Sequence, residues 1–136
     1  MKYLRIEEVI SYQDFLIKKD GGFGGIRDFG LLSSALAIPS QSFSGQEMHH
    51  TVIEKASAYL YHLIKNHPFF DGNKRTAVFC FLVFFDENNV EISFDEDFLY
   101  SITLDVAGNK LHKTELISLM NQYFQTNCDK SLSTSS

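Results

Sequence analysis

Residues 67–77 read His-Pro-Phe-Phe-Asp-Gly-Asn-Lys-Arg-Thr-Ala, and they separate two long segments of helical pattern. Upstream, Val52, Ile53, Ala56, Tyr59, Leu60, Leu63 and Ile64 recur as a stripe at helical period. Pro68 disfavours the helical region for the residue before it, so this helix is predicted to end near Asn66. Downstream, a second helix is predicted from Asn73 to about Glu87. Its middle, Ala77 to Phe85, is apolar on every face, which predicts a helix surrounded by others in the core. A buried strand is the rival reading of such a run. The helix-start chemistry before it and the Asp-Glu-Asn-Asn after it favour helix.

Working outward, Asn88-Asn89 is a turn signal, and two amphipathic segments follow at Glu96–Asp105 and Lys113–Phe124. Before the long helices, residues 4–18 carry Leu4, Ile6, Val9, Ile10, Phe15 and Leu16 among charges and predict a first helix. Gly21 to Gly25, with four glycines in five residues, predicts a flexible loop. Asp28 or its neighbours can cap a short helix, Leu31 to Ile38, which Pro39 stops, and residues 39–46 read as loop. The last residues, 127–136, lack an apolar pattern and read as a disordered tail. The sum is one all-α domain over residues 1–126, with five or six helices around the Phe-rich one.

Composition limits what this domain can do. The chain has 136 residues, and 12 Lys+Arg against 17 Asp+Glu leave a net charge of −5. A surface of that sign repels phosphate backbones, so general nucleic-acid binding is not expected. An anion must be met by a few well-placed cations. The two cysteines, Cys80 and Cys128, form no disulfide framework, and a reducing cytoplasm is the expected home. The start of the chain has acids where a signal peptide is apolar. The run Ala77–Phe85 is about half of the roughly 20 residues that a membrane span needs. Two motifs are decoys. Asp28-Phe29-Gly30 matches the magnesium motif of protein kinases, yet the chain before it has no room for the rest of a kinase. The glycine cluster lacks the dinucleotide spacing, and no His-Glu-x-x-His pattern exists, with His49-His50 read as a solvated helix start.

The 67–77 segment carries more chemistry. It delivers the chain to the N-terminus of a buried helix, where the first amides lack internal partners and the dipole is positive. Gly72 lets a ligand approach the backbone, Asn73 adds an amide, and Lys74 and Arg75 add two charges, which makes an anion site suited to phosphates. Asp71 opposes an anion unless a hard cation binds too, and magnesium takes one or two carboxylates with phosphate oxygens. His67 supplies an imidazole at the other end of the loop, a residue type that suits a general base. Phe69 and Phe70 would anchor the loop.

This stretch resembles the signature of the Fic/Doc (Fido) family, whose Fic branch reads HPFx[D/E]GNGRxxR. The match holds at His67, Pro68, Phe69, Asp71, Gly72, Asn73 and Arg75. The upstream GIRDFGLLSSALAIPSQSF and the helix before His67 are similar to the Doc, or death-on-curing, branch. The resemblance implies an all-α Fido bundle with this loop between two core helices. Lys74 stands where Fic enzymes have glycine, and Val78 where they have a second arginine. Doc proteins have lysine at the first of these places and act as kinases with ATP reversed. The resemblance thus implies a toxin of a type II toxin–antitoxin system that moves the gamma phosphate of ATP to a protein hydroxyl. By resemblance, that hydroxyl is a threonine of elongation factor Tu, and its modification halts translation. AMP transfer of the Fic type and a catalytically silent binding fold are the alternatives.

Carried onto this chain, the resemblance makes His67 the proton acceptor and Asp71 the Mg2+ ligand. Gly72, Asn73, Lys74 and Arg75 would hold the phosphates of ATP. Arg27 is a candidate for the rim of the site, and the Gly21–Gly25 loop a candidate flap over the target. The chain lacks the [S/T]xxxE[G/N] motif that restrains many Fic proteins. A separate antitoxin is therefore the expected restraint; the apolar face of helix 113–124 is one candidate site for it, although core packing is the expected use of that face.

Overall fold

In the computed structural model, α3 (Val52–Asn66) and α4 (Asn73–Glu87) pack along each other and join through the 67–72 loop. The backbone of residues 1–135 and the side chains of residues 1–126 are described; the expected disordered tail, 127–136, falls outside the fully described part. Around α3 and α4 stand α1 (Ile6–Asp20), α2 (Phe29–Ala37), α5 (Glu96–Ala107) and α6 (Lys113–Ser135). The all-α expectation holds: α3 touches α2, α4, α5 and α6, while α1 leans on α4. Among the described residues, no helix is long and apolar enough to cross a membrane.

Local chemistry sets most boundaries. Thr51 caps α3 by accepting from the Glu54 amide, and Asp28 caps α2 by accepting from that of Leu31. α3 stops at Asn66, as Pro68 requires, with His67 in the left-handed region at φ 48°. Asn89, also left-handed at φ 60°, ends the turn after α4. The α1 helix starts later than expected, because Leu4 is buried outside it and its amide donates to the Tyr59 hydroxyl, 3.1 Å away. The core is aromatic. Tyr59 lies 5.1 Å from Phe84, and Phe81 and Phe85 meet Phe94 at 5.1 and 5.8 Å. Phe94 stacks in turn on Tyr123 of α6, which pins the extended 90–95 stretch between α4 and α6. Removing one buried ring such as Phe84 would cost about 3–5 kcal/mol. Cys80 is buried, and burial raises its thiol pKa, so it packs as a small apolar residue.

Three expectations need correction. Residues 39–46 are not simply loop: a short 3-10 turn, Ile38–Ser40, leads into a hairpin of β1 (Ser42–Phe43) and β2 (Gln46–Glu47). Ser44 and Gly45 both take positive φ, 52° and 79°, as the commonest two-residue hairpin turn demands. His49 is buried at 6% exposure and does not sit on a solvated helix start. It is drawn in because Lys55, itself buried on α3, donates to the His49 carbonyl at 2.5 Å and to Glu47 Oε1 at 3.2 Å. α4 is not enclosed on every side: Leu82 is 39% exposed, because only α5 and the 90–95 stretch approach that face, leaving an open groove. The expected core packing of the 113–124 apolar face holds, since Leu116 and Met120 of α6 are buried.

Candidate active site

The 67–75 segment is built as a rigid corner. Asn73 is buried, and its Oδ1 accepts from the Phe69 amide while its Nδ2 donates to the Phe69 carbonyl, both at 2.9 Å. A single amide side chain thus closes the loop onto the first residue of α4. Phe69 fills the core at 1% exposure, whereas Phe70 points outward. Gly72 caps α4 with φ 75°, and a Cβ there would press on Ile17 at 3.2 Å. Only glycine combines that backbone with that clearance. Among the described residues no side chain caps α4, which leaves its first-turn amides without a side-chain acceptor.

A second segment, residues 21–28, braces the loop from outside. Arg27 donates from its amide to the Pro68 carbonyl at 2.7 Å, and Gly25 accepts from the Phe70 amide at 3.2 Å. Ile26 and Phe69 thereby form an antiparallel bridge. The Arg27 guanidinium donates to the His67 carbonyl at 2.7 Å and the Asn66 carbonyl at 3.0 Å. These are carbonyls left open where α3 ends, so Arg27 serves as the C-terminal cap of α3 and fixes the backbone of His67. The glycine-rich loop read as flexible is therefore tied along one side to the site.

The charged groups are brought together. Asp71 Oδ1 accepts from the Gly72 amide at 2.7 Å, and Oδ2 from the Phe23 amide at 3.2 Å. First Phe23, then Gly72, holds this carboxyl below its usual pKa, and the charges of Arg75 and Lys74 act the same way. Arg75 donates to the Gly21 carbonyl at 3.1 Å. Lys74 is exposed and makes no ion pair among the described residues. The His67 side chain is exposed too. Beside Lys74 and Arg75 opens the groove of about 650 Å³, walled by Val78, Leu82, Phe94 and Tyr100.

The donor set bears on magnesium. Among the described residues there is no group of three or more His, Cys, Asp or Glu side chains able to cage a metal. A single carboxylate, Asp71, beside the cations Lys74 and Arg75 suits a cation such as magnesium, which takes most of its shell from water and ligand oxygens. Sequence reading missed Gln13. It is buried on α1, and its Nε2 donates to the Asp71 carbonyl at 3.2 Å and the Phe23 carbonyl at 3.5 Å. The signal was present, since Gln13 lies in the inward stripe of Val9 and Leu16.

The Fic/DOC family model matches residues 3–85, more than half of the sequence. The chain belongs to the Fic/DOC family. It is 37% identical over 93 residues to a protein named toxin Doc from Mycolicibacterium smegmatis (strain ATCC 700084 / mc(2)155), covering 66% of this chain and 72% of that protein. It is 26% identical over 124 residues to a protein named protein kinase doc from Escherichia phage P1, covering 91% of this chain and 97% of the phage protein. The family match spans α1 through most of α4 and so includes the 67–75 segment and the 21–28 brace, though not the Phe94 and Tyr100 wall of the groove.

Proposed function

We propose that this chain is a Doc-type toxin that transfers the gamma phosphate of ATP to a protein hydroxyl. The observation that carries the reading is the start of α4: uncapped amides, an unpaired exposed Lys74 and the half-open Arg75 converge beside one carboxylate. That is a polyphosphate cradle with one place for a hard cation. The groove alongside is of a size that takes a nucleotide. Lys74 and Val78, in place of the glycine and second arginine of Fic enzymes, favour gamma over alpha transfer, as does the name of the phage P1 relative.

In this mechanism Lys74, Arg75 and the amides from Gly72 onward bind the phosphates; Asp71 would hold Mg2+, which would supply charge neutralisation there. Asn73 acts through the loop, since both ends of its amide are used on Phe69. His67 accepts the proton of the target hydroxyl as its oxygen bonds to the gamma phosphorus. The bond to the beta phosphate oxygen breaks, and ADP leaves. Positioning and charge supply most of the rate, and the base about 10²–10⁴-fold. By resemblance the target is a threonine of elongation factor Tu in the cytoplasm, translation stops, and a separate antitoxin restrains the toxin.

Incubation of the protein with ATP labelled at the gamma or the alpha phosphate, in a cell extract, tests this. Gamma label on a protein band, absent with His67→Ala, is the expected result. Alpha label on protein would refute gamma transfer in favour of AMP transfer, and unchanged toxicity of His67→Ala would refute catalysis.

A further inference from the structure

Two of the three charged groups used by the proposed chemistry, Asp71 and Arg75, are engaged by one short segment. The Phe23 amide rests on Asp71 Oδ2, and the Gly21 carbonyl accepts from Arg75, whose other nitrogen lies 3.9 Å from Asp20 Oδ2. Gln13 sets the position of this segment. It is 3% exposed and donates to one carbonyl on each side, Asp71 and Phe23. A polar amide at an inward helix position costs burial unless its hydrogen bonds are made, and here they tie two loops together. Gly22 completes the fit. It has φ 120°, and a Cβ on it would run into Asp71 Oδ2 and lie 3.2 Å from Arg75. The close approach is open to glycine alone.

We propose that Gln13 and Gly22 are positioning residues that make segment 20–23 a latch over the phosphate site, released when cation and nucleotide take Asp71 and Arg75 from it. The proposal rests on reading those two residues as cation and phosphate ligands. The latch's two hydrogen bonds to the charges come from neutral partners, an N–H and a C=O, with Asp20 adding only a longer ionic contact to Arg75 at 3.9 Å. Charged partners make stronger bonds to the same groups, so a magnesium nucleotide displaces the latch. Glycines at 21, 22, 24 and 25 leave the released segment free to swing, with Phe23 at its tip and already 78% exposed.

Residue-resolved hydrogen exchange by NMR tests the latch on the full chain, free and with Mg2+ plus the β,γ-imido analogue of ATP. In the free native chain the Phe23 amide is expected to exchange about tenfold more slowly than that of Gly24, and saturation with the magnesium analogue should remove the difference. In Gly22→Ala and in Gln13→Leu the Phe23 amide should exchange fast from the start. Both variants should bind the analogue several-fold more tightly by calorimetry, having no latch to displace. Gly22→Ala lies in an exposed loop and tests the idea even if Gln13→Leu folds poorly. An unprotected Phe23 amide in the free chain, or weaker binding by Gly22→Ala, would overturn the latch. Tight analogue binding with Phe23 still protected would overturn the latch alone. Protection without any analogue binding would overturn the nucleotide reading and the gating together.

Discussion

Replacing Asn73 by alanine separates two roles that a Gly-Asn motif can play. If the side chain is a clamp, its loss strands the Phe69 amide and carbonyl, both bonded to it at 2.9 Å in the protein interior. Each buried group left without a partner costs about 1–3 kcal/mol. The site lies under one layer of loop, so water can reach part of the gap, and a total of about 2–4 kcal/mol follows. For a domain of this size that lowers Tm by about 10 °C. Asn73→Asp keeps the acceptor for the Phe69 amide and loses only the donor, so it should fall between the native chain and Asn73→Ala. Differential scanning calorimetry at pH 7 measures the stability, and analogue binding, normalised to the folded fraction, measures the ligand role. The clamp predicts a large fall in Tm with binding changed only through loop disorder. A Tm shift under about 2 °C, together with lost binding, would refute the reasoning and make Asn73 a direct phosphate ligand.

Three further outcomes are expected. Lys74→Ala should abolish or sharply reduce label transfer in the gamma-phosphate assay while leaving Tm unchanged or slightly higher, since a cation at a helix N-terminus is unfavourable by about 0.3–1 kcal/mol. Burial, aided by the Lys113 charge and then His49, pushes the His62 pKa down to about 4. Its folded value lies below the ordinary one, so the unfolded chain binds the proton more readily. Stability present above about pH 6.5 should then fall as the pH drops toward 4, by up to roughly 1.4 kcal/mol per unit from this group. Melting curves between pH 8 and 4.5 should show that slope, and His62→Gln should flatten it. Lys55→Met should leave the carbonyls of Pro39 and His49 without their donor and cost about 2–3 kcal/mol, with faster hydrogen exchange confined first to the 42–47 hairpin.

The α3–loop–α4 unit was legible because three signals agree there: a stripe at helical period, a proline that forbids continuation, and a fresh helix start at Gly72-Asn73. The gathering of Asp71, Lys74 and Arg75 in one place was legible because charges of both signs crowd one helix start. The job of Asn73 was not, since an amide in a phosphate motif reads as a ligand until the Phe69 backbone is seen beside it. Arg27 was ambiguous for a related reason: its partners are main-chain carbonyls 39 and 40 residues away, which no local pattern announces. The hairpin escaped notice because its strands have two residues each, too few for alternation to register. His49 looked solvated because a lysine, Lys55, stands where the core begins, and a buried lysine is rare unless it is paired.

The bracing of the site by residues 13–28 has a consequence for when the protein becomes active. Every bond that orients His67, Asp71 and Arg75 from that side joins positions 39 to 58 apart in the chain. Neither stretch can hold the geometry by itself, so the proposed site forms with tertiary structure and not with synthesis of the motif. The exposed hairpin tip, Ser44-Gly45, falls between the two contributing stretches. Cleaving the backbone there yields two pieces that each carry half of the constellation, and activity regained on mixing them would serve as a direct readout of their docking.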